Sequence, residues 1–248
     1  MYLSRVPRYF AGTSREMCRR LRLRFRCDKM SRVLIVSGGE IDERLLADVL
    51  RSKIYDRVIC ADRGFAAADR AGVVPDAVIG DLDSLPEEYQ EKLRMLSRRG
   101  ETKLTVLNPE KDATDTEEAL NLALAYSPEE ILLLGATGSR IDHMLGNLSL
   151  LKKAKDAGVR MMIQDAHNRI RLIEGTFTIR KEEQYGSYVS LLPFGEPASG
   201  VTLTGFYYPL RDAVLGYGNS LGISNEIASE EATVMIKRGS LLFIESLE

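Results

Sequence analysis

The chain has 248 residues, 44% of them hydrophobic and 28% charged, with no low-complexity block, enough apolar material for one large or two modest cores. The formal net charge is −2, but residues 1–30 hold eight Arg and one Lys against Glu16 and Asp28, a surplus of +7 that leaves −9 for residues 31–248. An acidic body argues against a general nucleic-acid binder, and no run approaches the roughly 20 apolar residues of a membrane span.

The basic start, with Arg19-Arg20-Leu21-Arg22-Leu23-Arg24-Phe25-Arg26, lacks the apolar core of a secretory signal. An Arg-rich, acid-poor segment fits an organelle transit peptide or a nucleic-acid patch. The plainest reading is a translation start at Met30 with residues 1–30 disordered, because Ser31–Val36 begins a buried strand at once. Two of the three cysteines (Cys18, Cys27, Cys60) fall in this extension, and none has metal-ligand company. A reduced, cytoplasmic setting fits that usage. Two histidines argue against a His-based zinc site.

From residue 31 short apolar runs alternate with amphipathic stretches. Val33–Val36 reads as a strand, Gly38-Gly39 as a turn, and Leu45, Leu46, Val49 and Leu50 as one helix face. Arg57–Ala61 is the next strand, followed by an alanine-rich helix to about Ala71. Ala77–Ile79 is a third strand, and a charged helix spans about Pro86–Arg99. Then come a strand at Lys103–Leu107, a helix over Thr114–Ala125, the run Ile131–Leu134 and a long helix over Ser139–Ala157. This alternation predicts an α/β domain built on an open parallel sheet, over residues 31–166.

Beyond Val159 the texture changes. Met161–Ile163 and Arg169–Ile173 read as strands, after which helical periodicity is lost. Val189–Leu192, Val201–Leu203, Thr233–Ile236 and Leu241–Ile244 are short strands punctuated by Gly, Pro and Ser. That spacing predicts a small all-β sandwich or barrel over residues 167–248.

Ligands of open α/β sheets bind beyond the carboxyl ends of the strands, and four segments put polar groups there. The first is Asp62-Arg63-Gly64. The second is Gly80-Asp81-Leu82-Asp83-Ser84; if the strand continues through Leu82, both acids share one face. Two neighbouring carboxylates suit a hard cation such as Mg²⁺, although Asp and Ser are also common in turns. The third is Asn108-Pro109-Glu110-Lys111-Asp112-Ala113-Thr114-Asp115, where Asp112 and Asp115, three apart at a helix start, face one way if the turn has formed, or simply cap the helix. The fourth is Gly135-Ala136-Thr137-Gly138-Ser139-Arg140-Ile141-Asp142-His143.

Gly135-x-x-Gly138 is neither a P-loop nor a dinucleotide fingerprint. It supplies a turn that brings backbone N–H groups to an anion, and Arg140 adds a forked cation. Asp142 and Asn147 lie five apart, roughly 140° around a helix, and His143 reads as a packed or hydrogen-bonding residue. Carboxylates at three strand ends with an Arg at a fourth form a metal-plus-polyphosphate inventory. The apparatus for acyl transfer is missing, whereas phosphoryl transfer needs chiefly positioning and charge neutralisation.

These motifs, together with Pro75-Asp76 ahead of Gly80 and Gly222-Ile223-Ser224-Asn225-Glu226 near the end, resemble the thiamine pyrophosphokinases (thiamine diphosphokinases) of bacterial type, over about residues 31–248. The resemblance implies an α/β domain joined to a β-sandwich, and a homodimer with active sites between subunits. It implies Mg²⁺-dependent transfer of pyrophosphate from ATP to the hydroxyl of thiamine, releasing AMP. Asp81, Asp83 and Asp112 would hold Mg²⁺, with Asp115, Arg140 and Asp142 beside them at the reacting groups. Asp62, Arg63, Gly64, Thr114, Gly138, Arg140 and His143 would surround ATP; many relatives have Gly in place of Arg63. Asp115, Asp142, Asn147, Ser224 and Asn225 would face thiamine.

Two alternatives use the same residues: a metal-dependent nucleotide or diphosphate hydrolase, and a non-catalytic binding protein. Phe206-Tyr207-Tyr208-Pro209 reads as packing rather than as a stacking platform for thiamine.

Overall fold

The computed structural model describes residues 31–52, 54–108 and 112–248. The readings of residues 1–30, and of residues 109–111 in the third segment, lie outside the described residues. Residues 31–248 cohere as one unit.

Six strands alternate with five helices in its first part: β1 (Arg32–Val36), α1 (Glu43–Arg51), β2 (Arg57–Ala61), α2 (Gly64–Arg70), β3 (Ala77–Gly80), α3 (Glu87–Arg98), β4 (Lys103–Val106), α4 (Asp115–Ala125), β5 (Glu130–Leu134), α5 (Ile141–Asp156) and β6 (Arg160–Gln164). The strands lie parallel in the order β4-β3-β2-β1-β5-β6. Sequence order reverses between β1 and β5, and a doubly wound sheet opens a crevice at such a point.

The second part is antiparallel: β7 (Asn168–Ile173), β8 (Thr176–Arg180), β9 (Tyr188–Thr204), β10 (Leu210–Leu215), β11 (Glu231–Met235) and β12 (Arg238–Ser246). It does not form a detached sheet. β7 pairs antiparallel with β6, and the order continues β7-β12-β9-β11-β8, with β10 on β9. The result is a mixed sheet, helix-covered where parallel and β-rich where antiparallel.

Three apolar clusters fill the unit. One lies between the sheet and helices α4 and α5, and runs on through Ile170, Leu172 and Leu242 of the antiparallel part. A second packs α1, α2 and α3 on the opposite face around Leu34, Phe65 and Leu93. The third, around Leu191, Val234 and Phe243, belongs to the antiparallel strands. The parallel strands are buried on both faces, which is why they read as continuous apolar runs.

Two expected strands, Val189–Leu192 and Val201–Leu203, are one element, β9. It passes through Gly195-Glu196-Pro197 with a register shift against β12 between Arg238 and Ser240. A bulge lets the chain bend without leaving the sheet. β8 and β10 escaped the sequence reading because their alternation is weak and largely exposed.

Candidate active site

A cleft of about 550 Å³ opens beyond the carboxyl ends of β1, β2 and β5. Two of the loops that line it are held to each other. The Gly38-Gly39 loop lies along the 135–138 loop, with Gly39 N donating to Gly135 O (2.9 Å) and Glu40 N to Thr137 O (3.0 Å). Gly135 has φ +68°, and a Cβ there would stand 2.4 Å from Ser37 O, so only glycine fits. Asn147, buried on α5, donates from Nδ2 to Ala136 O at 2.8 Å and ties the loop to its helix. Below, the hydroxyls of Ser37 and Thr116 stand 2.6 Å apart in buried surroundings.

Asp62 ends β2 in the left-handed region, with φ +47°. Oδ2 accepts from Ser84 Oγ. Oδ1 is buried and has no hydrogen-bond partner among the described residues. A buried carboxylate oxygen left in that state is costly unless a cation or donor reaches it.

β3 stops at Gly80, so of the two readings of this stretch, a continuing strand or a strand-end turn, the structure has the turn. Leu82 has φ +66° and drops into the core, so Asp81 and Asp83 sit on a turn instead of a strand face. Asp81 Oδ1 accepts from Asp83 N at 3.0 Å. Gln90 of α3 braces the turn by donating to Leu82 O and Leu85 O. Helix α4 begins only at Asp115, so Asp112 precedes it and does not share its first turn. The cap is Thr114, whose Oγ1 accepts from Glu117 N at 3.2 Å.

Arg140 is exposed at the start of α5 and grips Asp142, Nη2 to Oδ2 at 2.6 Å and Nε to Oδ1 at 3.2 Å. That bond holds the Asp142 carboxyl well below its usual range, at about 2. Asp142 remains an anion at any physiological pH.

Of the expected residues, Asp62, Arg63, Thr114, Asp115, Gly138, Arg140, His143 and Asn147 line this cleft. Asp81, Asp83, Asp112 and Asp142 do not, although Ser84 of the same turn does. Among the described residues no three acidic, His or Cys side chains are gathered closely enough to hold a metal ion. Gly64 is buried under the cleft; a Cβ there would meet Val36 O at 2.0 Å, so its place is close packing of α2 on β1. Ser37, Gly38, Gly39, Glu40 and Thr116 line the cleft and were not singled out from the sequence. Their signal was available, because Gly38-Gly39 follows β1 as Gly135-x-x-Gly138 follows β5.

Ser224 and Asn225 lie in the antiparallel part and do not line the cleft. Ser224 is exposed, with φ +53°. Asn225 is buried, and its side chain brackets one turn: Oδ1 accepts from Tyr208 N (3.0 Å) and Glu226 N (2.9 Å), and Nδ2 donates to Tyr208 O (2.8 Å). The turn presents Tyr207 and Tyr208, 65% and 59% exposed, edge to face with centroids 4.9 Å apart. The packing reading of this stretch therefore holds only for Phe206, which is buried.

Known proteins give a consistent comparison. The pattern described as "Thiamin pyrophosphokinase, catalytic domain" matches residues 51–163, and "Thiamin pyrophosphokinase, vitamin B1 binding domain" matches residues 176–241. Thiamine pyrophosphokinase of Bacillus subtilis is 34% identical over 221 residues, covering 88% of this chain and all of that protein. Among solved structures, thiamine pyrophosphokinase from Bacillus subtilis superposes with a TM-score of 0.77 at 31% identity, over 88% of this chain and 100% of the other. Thiamin pyrophosphokinase from Geobacillus thermodenitrificans gives 0.73 at 34% identity, over 88% and 98%. The yeast enzyme, at 17% identity and a TM-score of 0.74 over 89% and 88%, shares the fold.

Proposed function

Because this chain belongs to the thiamin pyrophosphokinase family, and so transfers pyrophosphate from ATP to the hydroxyl of thiamine to give thiamine diphosphate and AMP, we propose that the cleft at the β1/β5 switch point is where ATP binds. The observation that carries the proposal is the orphaned Asp62 Oδ1, a buried anionic oxygen in want of a cation at the cleft floor.

The family needs a divalent metal, and we assign that role to Mg²⁺. Asp62 fits it by its unpartnered oxygen, and Asp81, Asp83 and Asp112 are hard oxygen donors on the adjoining loops. Bound there, Mg²⁺ would neutralise the triphosphate and make its β-phosphorus open to attack.

The remaining roles fall to the chain itself. The 135–138 loop, pinned by Asn147 and by the Gly39 and Glu40 amides, offers a fixed backbone to phosphate oxygens. Arg140, aimed by Asp142, meets charge that builds on the departing AMP. Arg63, Thr114, Gly138 and His143 complete the nucleotide's surroundings, and Asp115 stands where the thiamine hydroxyl would approach. Gly64 supports this wall without touching ATP.

Thiamine itself we place against the antiparallel part, on Ser224 and the Tyr207–Tyr208 turn that Asn225 holds. Residues 31–166 then serve nucleotide binding, and residues 167–248 serve thiamine binding and dimerisation. Ile141 and Leu145 beside the cleft, and Tyr217, Leu221 and Ile223 in the antiparallel part, are exposed apolar groups of the kind a homodimer covers. No described helix is long and apolar enough to cross a membrane, and a cytoplasmic place of work fits the cysteine usage.

Incubation with ATP, Mg²⁺ and thiamine tests the reading. AMP and thiamine diphosphate are expected in equal amounts. AMP or phosphate released at the same rate without thiamine would make the protein a hydrolase. Sedimentation should give a dimer, and a monomer with full activity would remove the shared-site arrangement.

A further inference from the structure

At the opposite end of the parallel strands, away from the ATP cleft, a row of charges crosses one sheet face. Arg32, Glu130 and Arg160 are register partners on β1, β5 and β6. Met162, two residues on from Arg160, pairs with Arg171 of β7, and Arg169 pairs with Glu245 of β12. The two-residue period of a strand puts all of them on the same face.

The row is unevenly satisfied. Glu245 is fully buried and takes both Arg169 nitrogens, Nη2 at 2.6 Å and Nε at 2.7 Å, plus Tyr185 N at 2.9 Å. Its acceptor capacity is largely filled by those three donors. Arg171 is left with an ion pair of 3.7 Å to Glu245, longer than a hydrogen bond. Its Nε is buried with no acceptor among the described residues, and its guanidinium lies 5.8 Å from the Phe177 ring. Burial, then the neighbouring Arg169, work against its charge.

Arg171 forms part of the wall of a cavity of about 640 Å³. Arg160, Arg169 and Lys155 join it there, and Lys155 reaches Glu174 only at 3.9 Å. Glu130, Glu174 and Glu183 also stand in the wall, so the cavity as a whole is not cationic. Among the described residues the buried side-chain atom of this wall left without a partner is a donor, Arg171 Nε, with Phe177 as its apolar neighbour. A planar fork of N–H groups next to further cations is matched by a tetrahedral oxyanion.

We propose that this cavity is a second ligand site, separate from the ATP cleft, for a phosphate group, with Arg171 as its principal donor and the Phe177 side as the seat of any organic body attached to it. The proposal stands whether or not the assignment of the ATP cleft is right.

Two measurements test it. Crystals of the full chain soaked in tungstate should show the anion within hydrogen-bonding distance of Arg171; tungstate found only at the cleft beside Arg140, or nowhere, overturns the proposal. In solution, inorganic phosphate and phenyl phosphate are titrated calorimetrically into the protein and into Arg171→Gln. The substitution should weaken the second binding event about tenfold or more while turnover of ATP and thiamine stays within about twofold. Unchanged binding in Arg171→Gln overturns the site. Tighter binding of phenyl phosphate than of phosphate identifies an organic phosphate as the ligand, and equal binding identifies the free ion. If Arg171→Gln does not fold, Lys155→Met at the rim replaces it, and binding to that variant as tight as to the unaltered chain overturns the proposal.

Discussion

Ser37 Oγ and Thr116 Oγ1 meet at 2.6 Å in the protein interior, joining the last turn out of β1 to the first turn of α4. The pair fixes the helix start that carries Thr114 and Asp115 against the loop that carries Gly38 and Gly39. Thr116→Val keeps the shape and removes the hydroxyl, leaving Ser37 without its partner. We expect a loss of about 1–2 kcal/mol in stability, read by urea denaturation, with a KM for ATP raised more than kcat is lowered. Ser37→Ala combined with Thr116→Val should cost less than the sum of the two single changes.

Asp62→Asn removes an anion whose Oδ1 has no partner but keeps an oxygen for Ser84. The metal-free variant should therefore melt no lower than the unaltered chain. Added Mg²⁺ should raise the melting temperature of the unaltered chain and leave the variant unmoved. An equal rise in both would take Asp62 out of the metal site.

Asp81→Asn and Asp83→Asn should each cut AMP formation by about 100-fold or more at saturating Mg²⁺. Asp81→Asn retains an oxygen that can accept from Asp83 N, so its circular dichroism spectrum should be unchanged. Full activity in Asp83→Asn would show that this exposed acid does not touch metal or substrate.

Arg140 and Asp142 are both exposed, with side chains 69% and 65% accessible, so Arg140→Ala should leave the melting temperature close to that of the unaltered chain. Activity should nevertheless fall by about 100-fold. The same substitution frees the Asp142 carboxyl, which Arg140 holds at about 2, and carbon NMR should show it returning to the usual range near 4. The sign follows from that depression: whatever the pair contributes is complete above about pH 4 and fades as the pH drops toward 2. At neutral pH that contribution is therefore fully present, and the stability difference between the unaltered chain and Arg140→Ala should shrink only in acid.

Tyr207→Ala should leave the melting temperature within a degree or two of the unaltered chain, because the ring is exposed, while KM for thiamine rises. Asn225→Ala, in contrast, strips three part-buried hydrogen bonds made by a buried side chain that holds the turn. It should cost about 2 kcal/mol as well as raising that KM. Identical behaviour of the two variants would contradict the division between a contacting ring and a positioning amide.

Much of this was legible in the sequence for a definite reason. The parallel strands are buried on both faces, so Val33–Val36 and Ile131–Leu134 announce themselves as unbroken apolar runs, and the polar residues that end them announce the cleft. A continuing strand and a strand-end turn could not be told apart at Asp81–Asp83, because Leu82 is buried in either; the structure has the turn, with Leu82 left-handed. Whether Asp112 and Asp115 share a helical turn was open in the sequence, because their spacing fits one; Thr114 takes the cap and leaves Asp112 ahead of the helix. β9 was divided at Gly195 and Pro197 because these residues break strands elsewhere; here pairing with β10 and β12 carries the element across them. Arg169 and Glu245, 76 positions apart, could be joined only by the fold.

The apolar layer beneath α5 takes Ile163 from β6, Ile170 and Leu172 from β7 and Leu242 from β12. A protease that nicks the tight turn at Asp165–His167 would thus cut a covalent link without parting the pieces. Two bands would run on a denaturing gel, a single species would elute from a native column, and neither fragment made alone would stay in solution with that greasy seam bared to water.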